Sequence, residues 1–280
     1  FASAAMGNAF LGMILAIVVL ISAGGSFYLT RGARFSERHE PTHHTVAEQI
    51  GLIAENRPFL ILICCKLLGL LALSFQSVFP FFFTKVAGLK FADISVYFGI
   101  YSAMMFIVSP GWKWIGKKIG KRNAFMLALT SSAAVMATWY FAKAGDPYWF
   151  MVLRAVAYGT TACGTLMMGQ ALLPDTMEYD RRRTGLRREG IFAGLYTTVE
   201  KLAGAFGAGI AGVFFGAMGY VASRPGENVE QPESAIFAIT IAMAIFPVAI
   251  NLTSAGLMLF YDLSEEKLKA TGLRSSTPTA

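Results

Sequence analysis

Apolar residues run along the chain in long unbroken blocks separated by shorter polar ones. Seven blocks of about 20 residues, the length an α-helix needs to cross about 30 Å of hydrocarbon, fall at residues 6–29, 59–83, 94–115, 124–142, 148–173, 191–221 and 236–261. They are continuous rather than alternating, so they lack the period of two that an outer-membrane strand requires. The pattern predicts an all-α membrane protein with seven transmembrane helices.

The polar stretches refine this. In residues 31–57, Thr45 and Glu48 form a capping-box spacing, and Val46, Ile50 and Ile53 share one helical face, which predicts a short amphipathic helix at the membrane surface or against the ends of the spans. The same segment contains His39-Glu40-Pro41-Thr42-His43, which fits the His-Glu-x-x-His pattern of a membrane metalloprotease. Both histidines would have to lie one turn apart on one helix. Pro41 lacks an N–H and clashes with the carbonyl four residues earlier, so a solvated loop is the better reading.

Composition supports a membrane protein: 55% of residues are apolar and only 15% charged, with 23 Phe, 13 Met and 28 Gly among 280 residues. Cys64, Cys65 and Cys163 lie inside apolar blocks, where small buried hydrophobes are expected rather than a disulfide framework. The net charge of +7 has its explanation in topology. If the segment after the first span is cytoplasmic, seventeen Lys and Arg fall on that side, in the connecting segments, the tail and the adjoining span end at Lys113, and only Lys85, Lys90, Lys143 and Arg224 on the other. That is the bias of the positive-inside rule. The basic clusters lack interleaved aromatics, so nucleic-acid binding is not implied. The chain opens on Phe1, and residues 6–29 are too long for a signal-peptide core and have no cleavage site after them, which reads as a cut through a longer protein.

Ionisable side chains inside spans are costly and mark candidate functional positions. Arg154 is six residues, about 9 Å, from the end of its span and can snorkel. Lys66 lies about 10 Å in, where snorkelling and cavity lining both remain open. Lys201 is about 15 Å deep, at mid-membrane. Its neighbour Glu200 is a natural charge partner, and a pair to another helix is the alternative. Thr197 stands one turn before Lys201 on the same face, so hydroxyl and ammonium can address one solute. Gly204, Ala208, Gly212 and Gly216 form a small-residue stripe that predicts close helix packing. Gln76, Gln170 and Asn251 either line a site or bridge helices.

Between the fifth and sixth blocks lies PDTMEYDRRRTGLRREG, a predicted loop holding four acids among five arginines. With the helix after it, this run resembles the glycoside-pentoside-hexuronide:cation symporters, the melibiose-carrier family of the major facilitator superfamily. The matching pattern is Asp-x-x-[Asp/Glu]-Tyr, then Arg and Glu eight and ten residues after the Tyr and Lys at twenty-two: Asp175, Glu178, Tyr179, Arg187, Glu189 and Lys201. The resemblance extends over essentially the whole chain. It implies residues 1–30 as the last helix of an N-terminal bundle, 31–57 as a cytoplasmic linker, 58–262 as a C-terminal six-helix bundle and 263–280 as a cytoplasmic tail. It also implies a carrier in a plasma membrane, a bacterial inner membrane, that moves a sugar or glycoside together with Na⁺ or H⁺ and needs no other cofactor. Lys201 and Thr197 would line the sugar site, with Glu200 beside them as a departure from the pattern. Asp175, Glu178, Tyr179, Asp180, Arg187 and Glu189 would form a cytoplasmic gate that switches salt-bridge partners as two bundles rock. The expected partners are a solute, a coupling cation, the lipid bilayer and the N-terminal bundle of the same carrier. A carrier of the same fold for a lipid or organic anion is the alternative, and the metalloprotease a remote one.

Overall fold

Continuous apolar blocks leave the backbone no solvent to bond to in a bilayer, so helices that satisfy their own N–H and C=O groups are the expected outcome. The computed structural model describes residues 4–32, 51, 53, 55–75, 78–221, 231–264 and 267–268, with the side chains of 4, 5, 8, 73, 203–205 and 207–208 left out of the description. All regular structure among them is helical. Two compact units divide at residues 44 and 45. The first contains α1 (Ala4–Thr30), whose large apolar side chains, such as Leu15, Leu20 and Phe27, are exposed.

The second unit holds α2 (Arg57–Phe75), α3 (Phe79–Phe81) running on into π-helical Phe82–Val86, α4 (Phe91–Ile107), α5 (Ser109–Ile119), α6 (Lys121–Ala137), α7 (Tyr148–Thr184), α8 (Glu189–Ala217), α9 (Glu233–Thr240), a π-helical turn Ile241–Ile245, and α10 (Phe246–Met258). The expected amphipathic helix at 46–53 lies outside the described residues except for Gly51 and Ile53, both helical, and Ile53 is buried. The His39–His43 pattern lies outside them entirely.

Among the described residues four helical segments are long and apolar enough to cross a membrane, 9–30, 121–141, 148–184 and 233–258, and a fifth span results if the bent pair α4–α5 is counted as one. Seven were expected. Prolines account for several departures from unbroken spans. Pro110 opens α5, and α4 and α5 meet at a 48° bend, because a proline has no N–H and its ring displaces the carbonyl four residues before it. Pro80 lies in the short α3 just before one π-helical turn, and Pro247 opens α10 just after the other.

The predicted loop after residue 173 is helical instead. α7 is 37 residues long, about 55 Å at 1.5 Å per residue, and carries Asp175, Glu178, Tyr179 and Asp180 on its last turns, with Pro174 inside it. Only residues 185–188 connect it to α8. Gly185 ends α7 in the left-handed conformation at φ 72°, which a side chain would disfavour. The apolar-to-polar boundary marks where a span leaves hydrocarbon, not where the helix ends. The Glu178–Arg182 and Asp180–Arg183 spacings support the extra turns.

Close helix approach occurs on α7 and not at the two described positions of the stripe expected in α8, Gly212 and Gly216. A Cβ on Gly212 or Gly216 would meet nothing within 4 Å, whereas one on Gly164 would lie 2.3 Å from the Trp112 indole and one on Gly159 2.6 Å from the Tyr101 carbonyl. Gly204 and Ala208 lie outside the residues whose surroundings are described. Trp112 is further held by its Nε1 donating to the Thr160 carbonyl at 2.7 Å. Gly164→Ala should therefore force α5 away from α7 and destabilise by about 1–3 kcal/mol. Gly212→Ala should not, and melting of the purified variants compares the two.

Two buried clusters form the core. One gathers Phe59, Leu62, Phe125, Leu129, Phe192 and Tyr261; the other, rich in aromatics, gathers Phe75, Phe79, Phe82, Phe83, Tyr97 and Trp139. Leu62, Phe125 and Leu129 of the first and Met136 and Tyr158 of the second also line the cavity described next.

Candidate functional site: an internal cavity and a polar helix end

Five helices of the second unit, α2, α6, α7, α8 and α10, enclose a cavity of about 330 Å³, large enough for a small solute. Its floor is buried: Leu62, Cys65, Phe125, Leu129, Ser132, Met136 and Ser254 are each under a tenth exposed, whereas Gly69, Leu166 and Gln170 at its rim are open. Among this apolar lining stand Lys66, Tyr196, Glu200, Gln170, Asn251, Ser132 and Thr165.

Lys66 Nζ of α2 lies 3.0 Å from Glu200 Oε2 of α8 and 4.8 Å from the centre of the Tyr196 ring. Tyr196 and Glu200 are one turn apart on α8, so ring and carboxylate reach Lys66 from the same face. Asn251 Nδ2 lies 3.5 Å from Ser132 Oγ, tying α10 to α6. The cavity can thus offer a cation, an anion and several neutral hydrogen-bonding groups to one ligand.

Of the residues expected to bind solute, Glu200 lies on this cavity. Lys201 and Thr197 do not: they line an open groove on another face of α8 with Ala193, Gly194, Thr198 and Leu202. Adjacent helix residues point about 100° apart, which separates Glu200 from Lys201. The Thr197 hydroxyl donates to the Ala193 carbonyl at 2.8 Å, and Lys201 is exposed, with no ion pair among the described residues. The partner of Glu200 is therefore Lys66, across to another helix. Arg154 reaches the Thr138 carbonyl at 3.1 Å and Asp146 at 3.8 Å, with its guanidinium 4.7 Å from the Trp139 ring centre.

The residues expected to form the gate gather at the polar end of α7, where their partners lie within the same unit. Asp175 accepts from Lys121 Nζ at 2.7 and 2.8 Å. Glu178 accepts from Arg181 and Arg182 at 2.7 and 2.6 Å, and Arg182 Nη1 also donates to the Leu268 carbonyl at 2.7 Å. Asp180 is held by Arg188 through contacts of 2.8, 3.0 and 3.1 Å, with both side chains 2% exposed. Arg183 lies 3.7 Å from Asp180 and 3.4 Å from Glu55. Arg187 and Glu189 are exposed, and Tyr179 is half-buried. Burial, with the Asp175 and Asp262 carboxylates nearby, pushes the Tyr261 phenol above its ordinary value.

Sequence reasoning missed Tyr196 as a member of the site, Lys121 and Arg188 as the partners of the acids, and Asn56. Asn56 is buried; its side chain accepts from Phe59 N–H at 3.2 Å and donates to the Thr176 carbonyl at 3.0 Å, joining the start of α2 to the end of α7. Its signal was present as an Asn-Arg-Pro helix start. Nothing in the sequence links Lys66 to Glu200, 134 positions apart. Among the described residues no group of three or more His, Cys, Asp or Glu could hold a metal ion.

The chain is similar to an uncharacterized symporter of Synechocystis (26% identical over 78% of this chain and 40% of the relative). It is also similar to a putative sulfoquinovose importer of Escherichia coli (24%, over 89% and 53%) and to an isoprimeverose transporter of Lactiplantibacillus pentosus (26%, over 78% and 45%). It spans about half the length of these relatives or less. Residues 2–265 match the MFS/sugar transport protein family. A helical fold with apolar spans and a polar internal cavity agrees with that match, and the chain belongs to this family of integral, multi-pass membrane carriers, which are not enzymes.

Proposed function

We propose that this chain is the C-terminal part of a secondary active transporter that moves a sugar or glycoside together with Na⁺ or H⁺ by alternating access. The observation that carries the reading is the Lys66–Glu200 pair on a 330 Å³ cavity. Charged groups among membrane helices are costly, and a cavity for a polar solute is a reason for them to be there. Relatives named for sulfoquinovose and isoprimeverose support a sugar. Lys201 and Thr197, on the adjoining face of α8, present a second polar surface, suited to a solute held between two bundles.

In this reading residues 1–30 end an N-terminal bundle, 31–57 link it to a six-helix bundle at 58–262, and the chain makes seven spans with its C-terminus in the cytoplasm. Asp175 is the acid best suited to exchange partners in a gate, because its pair with Lys121 is part-exposed, whereas Asp180 and Arg188 are sealed. Counterflow of labelled sugars in proteoliposomes of the full-length carrier tests the function: exchange of a sugar supports it, and exchange of only lipids or simple organic anions overturns it.

Topology is tested separately. Single cysteines in 223–234 should react with an impermeant maleimide from outside sealed cells, and cysteines in 181–188 only after permeabilisation. Labelling of both from outside rejects the orientation.

A further inference from the structure

From Ile94 to Gly145 the sequence has six Lys or Arg and no Asp or Glu. Lys121 finds Asp175 on α7, and Arg122 donates to the carbonyls of Met258 and Leu259 at the end of α10. Lys113, Lys117 and Lys118 of α5 are exposed and have no ion pair among the described residues. The positive-inside rule accounts for cations at this end, yet Arg181, Arg182, Arg183 and Arg188, around the end of α7, all face acids. Amid the three lysines stands Trp114, 61% exposed, with Lys118 Nζ 4.9 Å from its ring centre. Trp112 is buried at Gly164, so one tryptophan seats α5 on the bundle and the other faces out. Phe106 and Ile107, which end α4, are 82% and 68% exposed. Ile107, Trp114 and Lys118 are seven and four residues apart, and so are Phe106, Lys113 and Lys117, which is the spacing of one helix face. Apolar, aromatic and cationic groups therefore follow one another from α4 to α5.

We propose that this face of α4 and α5 binds an anionic phospholipid, with the headgroup phosphate at Lys113, Lys117 and Lys118, the glycerol backbone against Trp114 and the acyl chains over Phe106 and Ile107. The order of the groups selects that occupant. Three ammonium groups within about 8 Å along the helix axis suit a phosphate, and a basic cluster beside a span attracts anionic lipid. A zwitterionic lipid brings its own cation to the same lysines, which repel it. The indole favours the boundary between hydrocarbon and water. A small soluble anion would leave the apolar end of the face uncovered. The site is separate from the solute cavity, which none of these residues lines. It bears on that cavity through Trp112, because Gly164 lies on α7 between Ala162 and Thr165 of the cavity wall.

Native mass spectrometry of the purified full-length carrier, with phosphatidylglycerol and phosphatidylcholine as probes, tests the proposal. The unaltered carrier should hold phosphatidylglycerol about tenfold more tightly, equivalent to about 1.4 kcal/mol. Lys117→Gln/Lys118→Gln should bind the two lipids alike, with an unchanged melting temperature in detergent, because neither lysine has an ion pair among the described residues to lose. Lys143→Gln, an exposed lysine beyond the far end of α6, should keep the preference. Brominated phosphatidylglycerol should quench the fluorescence of the unaltered carrier more than that of Trp114→Phe, which places the lipid on this face even if the double variant folds poorly. Equal affinity for the two lipids, a preference that survives in the double variant, displacement of the lipid by inorganic phosphate, or quenching unchanged in Trp114→Phe overturns the inference.

Discussion

Breaking the Asp180–Arg188 pair should cost about 3–5 kcal/mol of stability in either direction, because each single replacement takes the close partner from a charge in a buried position. The two side chains are 2% exposed and share three contacts of 3.1 Å or less. They lie across the four-residue connection between α7 and α8, and Arg188 is the N-cap residue of α8. Arg188→Leu would leave Asp180 with Arg183 at 3.7 Å, and Asp180→Leu would leave a guanidinium with only the Thr184 hydroxyl at 3.5 Å. Both should appear as lower membrane abundance and a lower melting temperature. The double variant Asp180→Leu/Arg188→Met should recover much of the loss, since apolar replacement of a whole buried pair is often neutral or stabilising. If the single variants melt normally and only transport fails, Asp180 belongs to a moving gate and not to the scaffold.

Lys201 should behave in the opposite way. Lys201→Gln in the full-length carrier should insert and fold normally, because Lys201 has no ion pair among the described residues and lies on an open face. Uptake or solute affinity should fall by about tenfold or more, or about 1.4 kcal/mol, since an ammonium about 15 Å from the membrane surface needs a polar ligand or water to solvate it. Abundance, binding and uptake measured on one variant decide the matter. Normal values of all three would remove Lys201 from the site. Lys66→Gln provides the contrast: its loss leaves Glu200 unpaired, so abundance should fall along with transport.

The helical class and the approximate positions of the apolar segments were legible in the sequence by itself. Each depends on local pattern, about twenty apolar residues in a row. A bilayer enforces these locally, since every backbone group must bond within its own segment. The family resemblance was legible for the same reason, through fixed spacings over Asp175, Glu178, Tyr179, Arg187, Glu189 and Lys201. What depends on the approach of distant segments was not. Lys66 meets Glu200, Lys121 meets Asp175 and Asn56 meets the Thr176 carbonyl because α2, α6, α7 and α8 pack side by side, and helix packing follows from shape complementarity over many side chains. A rotation of about 100° is enough to separate the two charges. Because successive residues on α8 point about 100° apart, Glu200 enters the cavity and Lys201 leaves it, and only the direction in which α8 faces its neighbours assigns the two charges to different sites.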